Sequence, residues 1–384
     1  MKVCHVCLCG PVTDNFSYQE NLLTKYQTKL SMDVSMIASP YYFTQEGTIG
    51  ISDKKEYVNS DGVKVYRLKV KKGDYEDKFR RFDGLYETIE RIKPDILFVH
   101  GVQFLDLTDV IKYKKRNENV KMYVDNHADF SNSATNFLSR YILHGVIWRR
   151  YAILAYKHAE KIYGVTPGRV RFLKEVYKLK DDKLDLLLMG ADTGKVEEAL
   201  NSDARKEIRK KYGIGEDEFL IMTGGKIDYA KKQTLLLMDA VSTLDDAKLI
   251  VFGSVEEDLK DEVLKRARGN IQYIGWIDAH DSYKYFSSAD LVVFPGRHSV
   301  FWEQVLGLGI PMIVKHWEGN QHVDRGGNCL FLYEDSVEEI REKISLVLKD
   351  KEFYENMKKI AKEKGAKEFS YLEIAKKSVE YNCW

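Results

Sequence analysis

Apolar and polar positions alternate in two different rhythms along the chain. Short apolar runs bounded by Gly, Pro or polar clusters predict buried strands, whereas apolar positions three or four residues apart predict helices. In the first half, strands are predicted at 3–8, 34–38, 64–70, 96–100, 122–125, 162–166 and 185–189. Helices are predicted between them at 20–30, 75–92, 107–116 and 137–163. A strand and a helix therefore follow one another throughout this half.

The second half repeats the same rhythm after a Gly-rich segment at 190–194. A charged helix at 195–211 is followed by strands predicted at 219–223, 248–252, 271–274, 291–294, 310–314 and 330–333. The helices of this half are predicted at 233–244, 258–268, 281–289, 337–348, 351–364 and 371–381. Such alternation predicts an α/β protein with two Rossmann-like, doubly wound parallel sheets, and the crevice between them is the expected ligand site.

The stretch 294–314, FPGRHSVFWEQVLGLGIPMIV, forms one predicted strand–loop–helix–strand unit. In a parallel sheet, its loop lies at the carboxyl end of the strands, where ligands bind. Unpaired N–H groups at a helix start suit phosphate. Glu303, about one turn into the helix, can accept hydrogen bonds from two sugar hydroxyls. A phosphate-bearing sugar is therefore the first ligand that the pattern indicates.

Composition excludes several classes of protein. The 384 residues are 44% hydrophobic and 31% charged, which is typical of a globular protein and not of a disordered one. The length favours two domains. No uncharged apolar run is long enough to cross a membrane. A dehydrogenase is disfavoured because neither half begins with G-x-G-x-x-G. Cys4, Cys7 and Cys9 are closely spaced, and buried thiols in a reducing compartment are favoured over a metal site.

Charge is unevenly distributed between the halves. Residues 1–190 hold 31 Lys and Arg against 24 Asp and Glu, whereas residues 191–384 hold 29 against 35. The predicted helix 137–163 adds aromatic residues to cations, among them Trp148, Arg149 and Arg150. Two interpretations stay open: the helix packs on the sheet with a solvated charged face, or it rests on anionic lipid headgroups.

The second half resembles the retaining glycosyltransferases of family 4, most specifically between residues 221 and 331. The segment 223–231, TGGKIDYAK, is similar to that family's loop that holds the donor diphosphate. The resemblance implies the GT-B fold, in which two Rossmann-like domains face a central cleft. It also implies that the donor is bound by residues of several loops: Gly10, Gly225, Lys226, Lys231, Gly253, Trp276, Ile277, His298, Ser299, Val300 and Glu303.

One position departs from the family pattern. The family has two glutamates eight positions apart, and Glu303 matches the second, which is expected to bind the nucleotide ribose. Pro295 stands where the first would contact the donor sugar. The loop is shortened there, and His298 and Ser299 occupy the gap. We expect them to contact the donor, although a plain loop role is the alternative.

The first half resembles the family's acceptor side. The segments 9–11 and 18–21 are similar to its glycine loop and acceptor helix, and 124–129, VDNHAD, is similar to its histidine-bearing loop. The resemblance implies that Tyr18, Glu20, Asn126 and Asp129 bind the acceptor and that His127 is catalytic. The alternative for His127 is a histidine satisfied by a nearby carboxylate. His5, His100, His280, His316 and His322 are expected to be structural.

The implied enzyme is a retaining hexosyltransferase that uses a nucleoside-diphosphate sugar, with UDP favoured over GDP. His127, Lys226 and Lys231 would be catalytic, and no metal or other cofactor is required. Residues 1–190 would bind the acceptor, residues 191–369 the donor, and helix 370–384 would pack back on the first domain. The expected acceptor is a glycan or lipid-linked glycan of surface polysaccharide biosynthesis, met in the cytoplasm at the inner membrane face. Nucleic acid is not an expected partner.

Two other functions stay open on the sequence. The missing first glutamate is compatible with a catalytically weakened subunit that binds sugar nucleotides or glycans. A nucleotide-sugar epimerase on the same fold would bind the donor without an acceptor.

Overall fold

A computed structural model describes residues 1–44, 47–130, 132–278 and 280–381. The chain divides into two compact units. The first comprises Met1–Met189 together with Tyr371–Trp384, and the second comprises Gly190–Ser370. Each unit is built around a largely parallel sheet, so the predicted α/β class with two Rossmann-like sheets is confirmed.

The main sheet of the first unit has the strand order β12-β11-β10-β9-β1-β2-β6-β5 in the described residues. All of its pairings are parallel except β5 with β6. The short pairs β3–β4 and β7–β8 stand apart as antiparallel ribbons. The strands are β1 (Lys2–Cys7), β2 (Asp33–Ala38), β3 (Tyr41–Phe43), β4 (Ile49–Ile51), β5 (Glu56–Val58), β6 (Lys64–Arg67), β7 (Val70–Lys72), β8 (Arg81–Phe82), β9 (Ile96–His100), β10 (Lys121–Asn126), β11 (Lys161–Gly164) and β12 (Leu184–Leu186).

Helices cover both faces of this sheet, as parallel strands require because both of their faces are apolar. They are α1 (Gln19–Lys29), α2 (Leu85–Ile92), α3 (Leu107–Arg116), α4 (Arg149–His158) and α5 (Pro167–Glu175), with π-helical turns at Leu138–Trp148 preceding α4. One buried cluster, which includes Leu97, Val99 and Met122, lies on one face, and a second, which includes Phe98 and Tyr123, lies on the other. Neighbouring residues along β9 thus contribute to opposite cores.

The sheet of the second unit is wholly parallel, with the order β15-β14-β13-β16-β17-β18. Its strands are β13 (Phe219–Gly224), β14 (Ala247–Phe252), β15 (Ile271–Tyr273), β16 (Leu291–Phe294), β17 (Met312–Lys315) and β18 (Cys329–Leu332). Its helices are α6 (Thr193–Asn201), α7 (Ala204–Lys211), α8 (Gln233–Val241), α9 (Glu257–Arg266), α10 (Ser282–Ser287), α11 (Phe301–Gly307), α12 (Val337–Lys349), α13 (Lys351–Ile360) and α14 (Ala366–Glu368).

The last helix of the chain, α15 (Tyr371–Ser378), belongs to the first unit. It packs against α1, where the rings of Tyr26 and Tyr371 stack with centroids 6.5 Å apart. Tyr371, Ile374, Ala375 and Val379 are buried in the same core as Phe98 and Tyr123. The apolar side of this helix therefore completes one face of the first sheet.

Three helix boundaries differ from those expected. The predicted helix 75–92 begins only at Leu85, after a turn and the short strand β8. The predicted helix 195–211 is interrupted between α6 and α7. The predicted helix 137–163 ends at His158, and Lys161–Gly164 is a strand.

Candidate active site

The second sheet has a topological switch point between β13 and β16. Strand β13 pairs with β14 on one side and with β16 on the other, so the chain leaves the neighbouring strands in opposite directions. Ligands of open parallel sheets bind outside the carboxyl ends of the strands at such a point. A small cavity opens there. Its lining includes residues 223–227 at the end of β13, residues 294–297 and 299 at the end of β16, and Lys231.

A close approach of two backbone loops forms the floor of this region. The Gly225 N–H donates to the Phe252 carbonyl at 3.0 Å, and Gly253 follows directly. Gly225 and Gly253 have φ angles of +121° and +127°, which L side chains rarely adopt. A Cβ on Gly253 would stand 2.0 Å from the Gly225 oxygen. Both positions therefore require glycine, and the loop keeps its backbone bare toward the cavity.

Two lysines line the cavity but differ in their partners. Lys226 Nζ lies 3.0 Å from Glu256 Oε1, and this contact raises the pKa of Lys226. Among the described residues, Lys231 has no carboxylate within ion-pairing distance. Its Nζ lies 4.0 Å from the point where a Cβ of Gly225 would stand. Lys231 thus brings to the glycine loop a positive charge that no described carboxylate pairs.

Glu303 is buried in α11 beside the same loop, with its side chain 1% exposed. Its Oε1 lies 2.7 Å from His298 Nε2, whereas Oε2 has no hydrogen-bond partner among the described residues. Burial alone would raise the pKa of Glu303, but the adjacent His298 lowers it below its usual value. His322 faces the same carboxylate, and burial lowers the pKa of His322 to about 4. The site therefore holds a buried carboxylate with one oxygen unsatisfied.

The structure groups only part of the expected donor set around the cavity. Gly225, Lys226, Lys231 and Ser299 line it, and Gly253 contacts Gly225 from behind. His298, Val300, Glu303, Trp276 and Ile277 are not among the lining residues, and Trp276 is 69% exposed on the loop after β15. Gly10 belongs to the first unit, where its carbonyl accepts a hydrogen bond from Ser39.

The first unit places its expected residues on two loops. Asn126 ends β10, and His127 and Asp129 lie just beyond it. Tyr18 and Glu20 lie at the start of α1. His127 Nε2 is 3.3 Å from Asp125 Oδ2, so the ring does have a carboxylate partner. Asn126 is 2% exposed and donates to the Ala128 carbonyl, which means that it shapes the loop.

Asp129 is the only other acidic side chain of that loop segment, 126–130, and it is half-buried. Its Oδ2 lies 3.3 Å from Arg169 Nε. This ion pair holds the end of the His127 loop against α5.

Behind His127 lies a buried polar cluster that sequence reasoning treated as structural. His100 Nδ1 is 2.8 Å from Asp125 Oδ2, and His5 Nδ1 is 2.9 Å from His100 Nε2. Donor atoms of His100, Asp125 and His127 all lie within 4.8 Å of one another, close enough to share a metal ion. Each of these atoms already has a hydrogen-bond partner within the cluster. Both histidines contact the same carboxylate oxygen, whereas Asp125 Oδ1 is buried with no hydrogen-bond partner among the described residues.

Arg297 is a further cavity residue, which the sequence placed in the loop at the ligand crevice but to which it assigned no binding role. It is exposed and lies between Gly296 and His298 at the mouth of the loop after β16. A cation next to a phosphate-binding loop could have been noted from the stretch itself.

No helix among the described residues is both long and apolar enough to span a bilayer.

Comparisons with known proteins agree with this geometry. The profile of the glycosyl transferases group 1 family matches residues 204–364, which make up most of the second unit. An uncharacterized glycosyltransferase of Methanocaldococcus jannaschii is 24% identical over 213 residues, covering 53% of this chain and 55% of that protein. The match thus spans about half the length of this curated relative.

Two solved structures share the fold of the whole chain. Anabaena HepE in complex with UDP is similar with a TM-score of 0.65 at 14% identity, covering 99% of both chains. The UDP-GlcNAc 2-epimerase from Neisseria meningitidis bound to UDP-GlcNAc has a TM-score of 0.62 at 13% identity, again covering 99% of both chains. The chain has the GT-B fold that was expected from its sequence.

Proposed function

We propose that the protein is a retaining glycosyltransferase, a proposal supported by the match of residues 204–364 to the profile of the glycosyl transferases group 1 family. It moves a sugar from a nucleoside-diphosphate sugar, with UDP favoured, to a hydroxyl of a glycan or lipid-linked glycan. The single observation that supports this most is the cavity at the switch point of the second sheet. That cavity combines a bare glycine loop with Lys226 and Lys231.

The donor diphosphate is assigned to this cavity on electrostatic grounds. When the bond to the sugar breaks, negative charge develops on the departing diphosphate, and fixed cations stabilise it. Lys231 supplies a charge with no carboxylate partner in the part of the chain that the structure describes, whereas Lys226 forms an ion pair with Glu256. Gly225 lets phosphate oxygens approach the backbone because no side chain stands in the way. Lys231 is therefore the principal group that stabilises the leaving diphosphate.

Glu303 is assigned to a donor hydroxyl, most simply on the ribose. Leaving a buried acceptor unpaired costs about 1–3 kcal/mol, and a hydroxyl donor at Oε2 would remove that cost. Glu303 is 1% exposed, so a ribose must displace a neighbouring side chain to reach Oε2. His298 and Ser299 would then contact the rest of the donor, as the shortened loop suggests.

His127 is assigned to the acceptor hydroxyl. Its ring is partly exposed, at 39% of the side chain, and it stands at the carboxyl end of β10. An imidazole in this position can accept the proton of a reacting hydroxyl. Tyr18, Glu20 and Asp129 are proposed to hold the acceptor around it.

An epimerase is the second candidate, because the Neisseria epimerase bound to UDP-GlcNAc has a similar fold. The two functions differ in what they need. A transferase consumes a nucleotide sugar only when an acceptor is present, whereas an epimerase changes the sugar alone, and a binding subunit does neither. Incubation of the purified chain with single nucleotide sugars, with and without oligosaccharide acceptors, tests this. Release of UDP only with acceptor, with the anomeric configuration kept, is the expected result.

The place of action is proposed to be a membrane surface. In the first unit, large apolar side chains in and just before the π-helical turns that precede α4 are exposed to solvent. They are Phe137, Leu138, Tyr141, Ile142 and Val146, each at least 45% exposed. Arg149 and Arg150 follow in α4. Apolar and aromatic groups beside cations suit an interface with anionic headgroups, so we favour a lipid-linked acceptor over a small soluble one.

A further inference from the structure

A row of polar side chains is buried on one face of the first sheet. Asp125 in β10 is the register partner of His100 in β9. His5 in β1 pairs with Phe98, two residues before His100, so alternation places all of these side chains on the same face. His5 and Asp125 are fully buried, and His100 is 7% exposed. A polar row so deep in a core requires its hydrogen bonds to be internally consistent.

The direction of these hydrogen bonds is set from α15. The Ser378 hydroxyl donates to the Ala375 carbonyl at 2.7 Å, so its oxygen is left to accept from Gln27 Nε2 at 3.0 Å. The amide oxygen of Gln27 then faces His5 Nε2 at 2.7 Å and can only accept. His5 must therefore carry its hydrogen on Nε2.

The donor and acceptor roles of His100 follow in the same way. Burial lowers the pKa of His5 to about 3, so its ring is neutral and Nδ1 accepts from His100 Nε2. His100 Nδ1 faces the Asp125 carboxylate. Burial opposes the charged form of His100, but Asp125 raises the pKa of His100 well above its usual value. His100 is thus a buried imidazolium that donates from both nitrogens, with the Cys7 thiol beside it.

Asp125 is held as a carboxylate by its two histidines. Burial alone would raise the pKa of Asp125, but His100 and then His127 hold it well below its usual range. Its Oδ2 accepts from His100 Nδ1 and faces His127 Nε2 at 3.3 Å. Because a carboxylate only accepts hydrogen bonds, the hydrogen of His127 stands on Nε2.

We propose that the chain Ser378–Gln27–His5–His100–Asp125 is a positioning device that fixes His127 with Nε2 protonated and Nδ1 without a hydrogen-bond partner among the described residues. His100 and Asp125 form a buried ion pair, and the carboxylate orients the His127 ring through its contact with Nε2. The open Nδ1 can then take a hydrogen bond from an acceptor hydroxyl. This assignment of Nδ1 rests on the proposed function, whereas the tautomer itself does not. His5, His100 and Asp125 are positioning residues, and they act through His127.

The tautomers can be measured without any substrate. Long-range proton–nitrogen correlation spectra of the full chain, labelled with ¹⁵N-histidine, report which ring nitrogens carry hydrogen. At neutral pH we expect His100 to be protonated on both nitrogens and His5 and His127 to carry hydrogen on Nε2 only. Asp125→Asn should release the preference of His127, and Asp182→Asn, a carboxylate outside the chain, should leave it unchanged.

Wild-type spectra decide the proposal even where a variant fails to fold. A His127 with hydrogen on Nδ1, or a His100 with one protonated nitrogen, overturns it. A joint shift of His100 and His127 nitrogens on addition of one equivalent of Zn²⁺, with His100 losing its Nδ1 hydrogen, would instead assign a metal site and would also overturn it.

A kinetic arm then tests the role of the tautomer. If the spectra agree and transfer activity is found, Asp125→Asn should lower kcat by about 10²-fold, the range of general-base catalysis, with an unchanged donor KM. An unchanged kcat would refute the positioning role. Absence of any transfer activity in the wild type would refute the proposed function and leave the tautomer result standing.

Discussion

Replacing Lys231 by alanine is the sharpest test of the donor site. Lys231 has no carboxylate partner among the described residues, and its Nζ stands at the glycine loop that would hold the diphosphate. Two unit charges 4 Å apart interact by about 4 kcal/mol at an effective dielectric constant of about 20. Loss of one such stabilising group usually lowers kcat by roughly 10²–10³. We therefore expect Lys231→Ala to lose activity in that range.

Lys226→Ala provides an internal comparison. Lys226 is 54% exposed and is already paired with Glu256, so less of its charge is free for the leaving group. An exposed and already paired cation is screened by solvent and contributes little to the stabilisation of a new charge. The structure thus predicts unequal losses for the two lysines, with Lys231 the larger.

The assay is the initial rate of nucleoside diphosphate release at saturating donor and acceptor. Lys232→Ala is the matched control, because Lys232 is the adjacent lysine but is exposed and does not line the cavity. Thermal unfolding of all three variants should stay close to wild type, since surface substitutions usually change stability by no more than about 0.5 kcal/mol. Wild-type turnover in Lys231→Ala, or an equal loss in Lys232→Ala, would refute the reasoning.

Three further predictions follow from separate features. Gly253→Ala should destabilise the fold by about 1–3 kcal/mol more than Gly269→Ala in urea unfolding, because both have positive φ but only Gly253 meets backbone; equal losses would contradict the close approach. Burial lowers the pKa of His322 to about 4, so stability should fall as pH drops from about 6.5 to 4, by at most about 1.4 kcal/mol per unit from this group. His322→Asn should flatten that slope, and an unchanged slope would contradict the assignment. The double variant Arg149→Glu with Arg150→Glu should abolish co-sedimentation with anionic vesicles at low salt, because each cation near the surface contributes about 1 kcal/mol of attraction to anionic lipid. Binding that survives would contradict the membrane proposal.

The strands of the second unit were predictable because buried parallel strands read as continuous apolar runs. Strand 291–294 was predicted at the residues observed, and the segment 223–231 was recognised as a loop with two lysines. What the sequence could not reveal is which lysine would be free. The pairing of Lys226 with Glu256 joins residues 30 positions apart, and no local pattern reports it.

The failed helix prediction at 75–84 has a local cause. Asp74 accepts hydrogen bonds from the backbone N–H groups of Glu76 and Asp77, at 3.0 and 3.1 Å. Arg80 donates to the carbonyls of Tyr75 and Asp77. Such side-chain contacts compete with helical hydrogen bonds, and helical spacing alone does not register them.

The hydrogen-bonded chain from Ser378 to Asp125 could not be predicted from the sequence, for a different reason. His5 and His100 are 95 residues apart and meet only through the register of adjacent strands. The sequence supported a structural role for both histidines. The direction of their hydrogen bonds, however, depends on Ser378, which lies more than 270 positions after His100. His127 could be proposed from the sequence because its motif lies in one short segment, and its catalytic role stays a prediction.

The return of α15 to the first unit has a consequence for biosynthesis. During translation, Met1–Met189 emerges first, but the helix that covers one face of its sheet is made only after all of Gly190–Ser370. Until then Tyr26 lacks its stacking partner Tyr371, and Gln27 lacks Ser378. The second unit, Gly190–Ser370, can therefore finish folding before the first unit is complete. This order reverses the usual one, in which the N-terminal domain folds first.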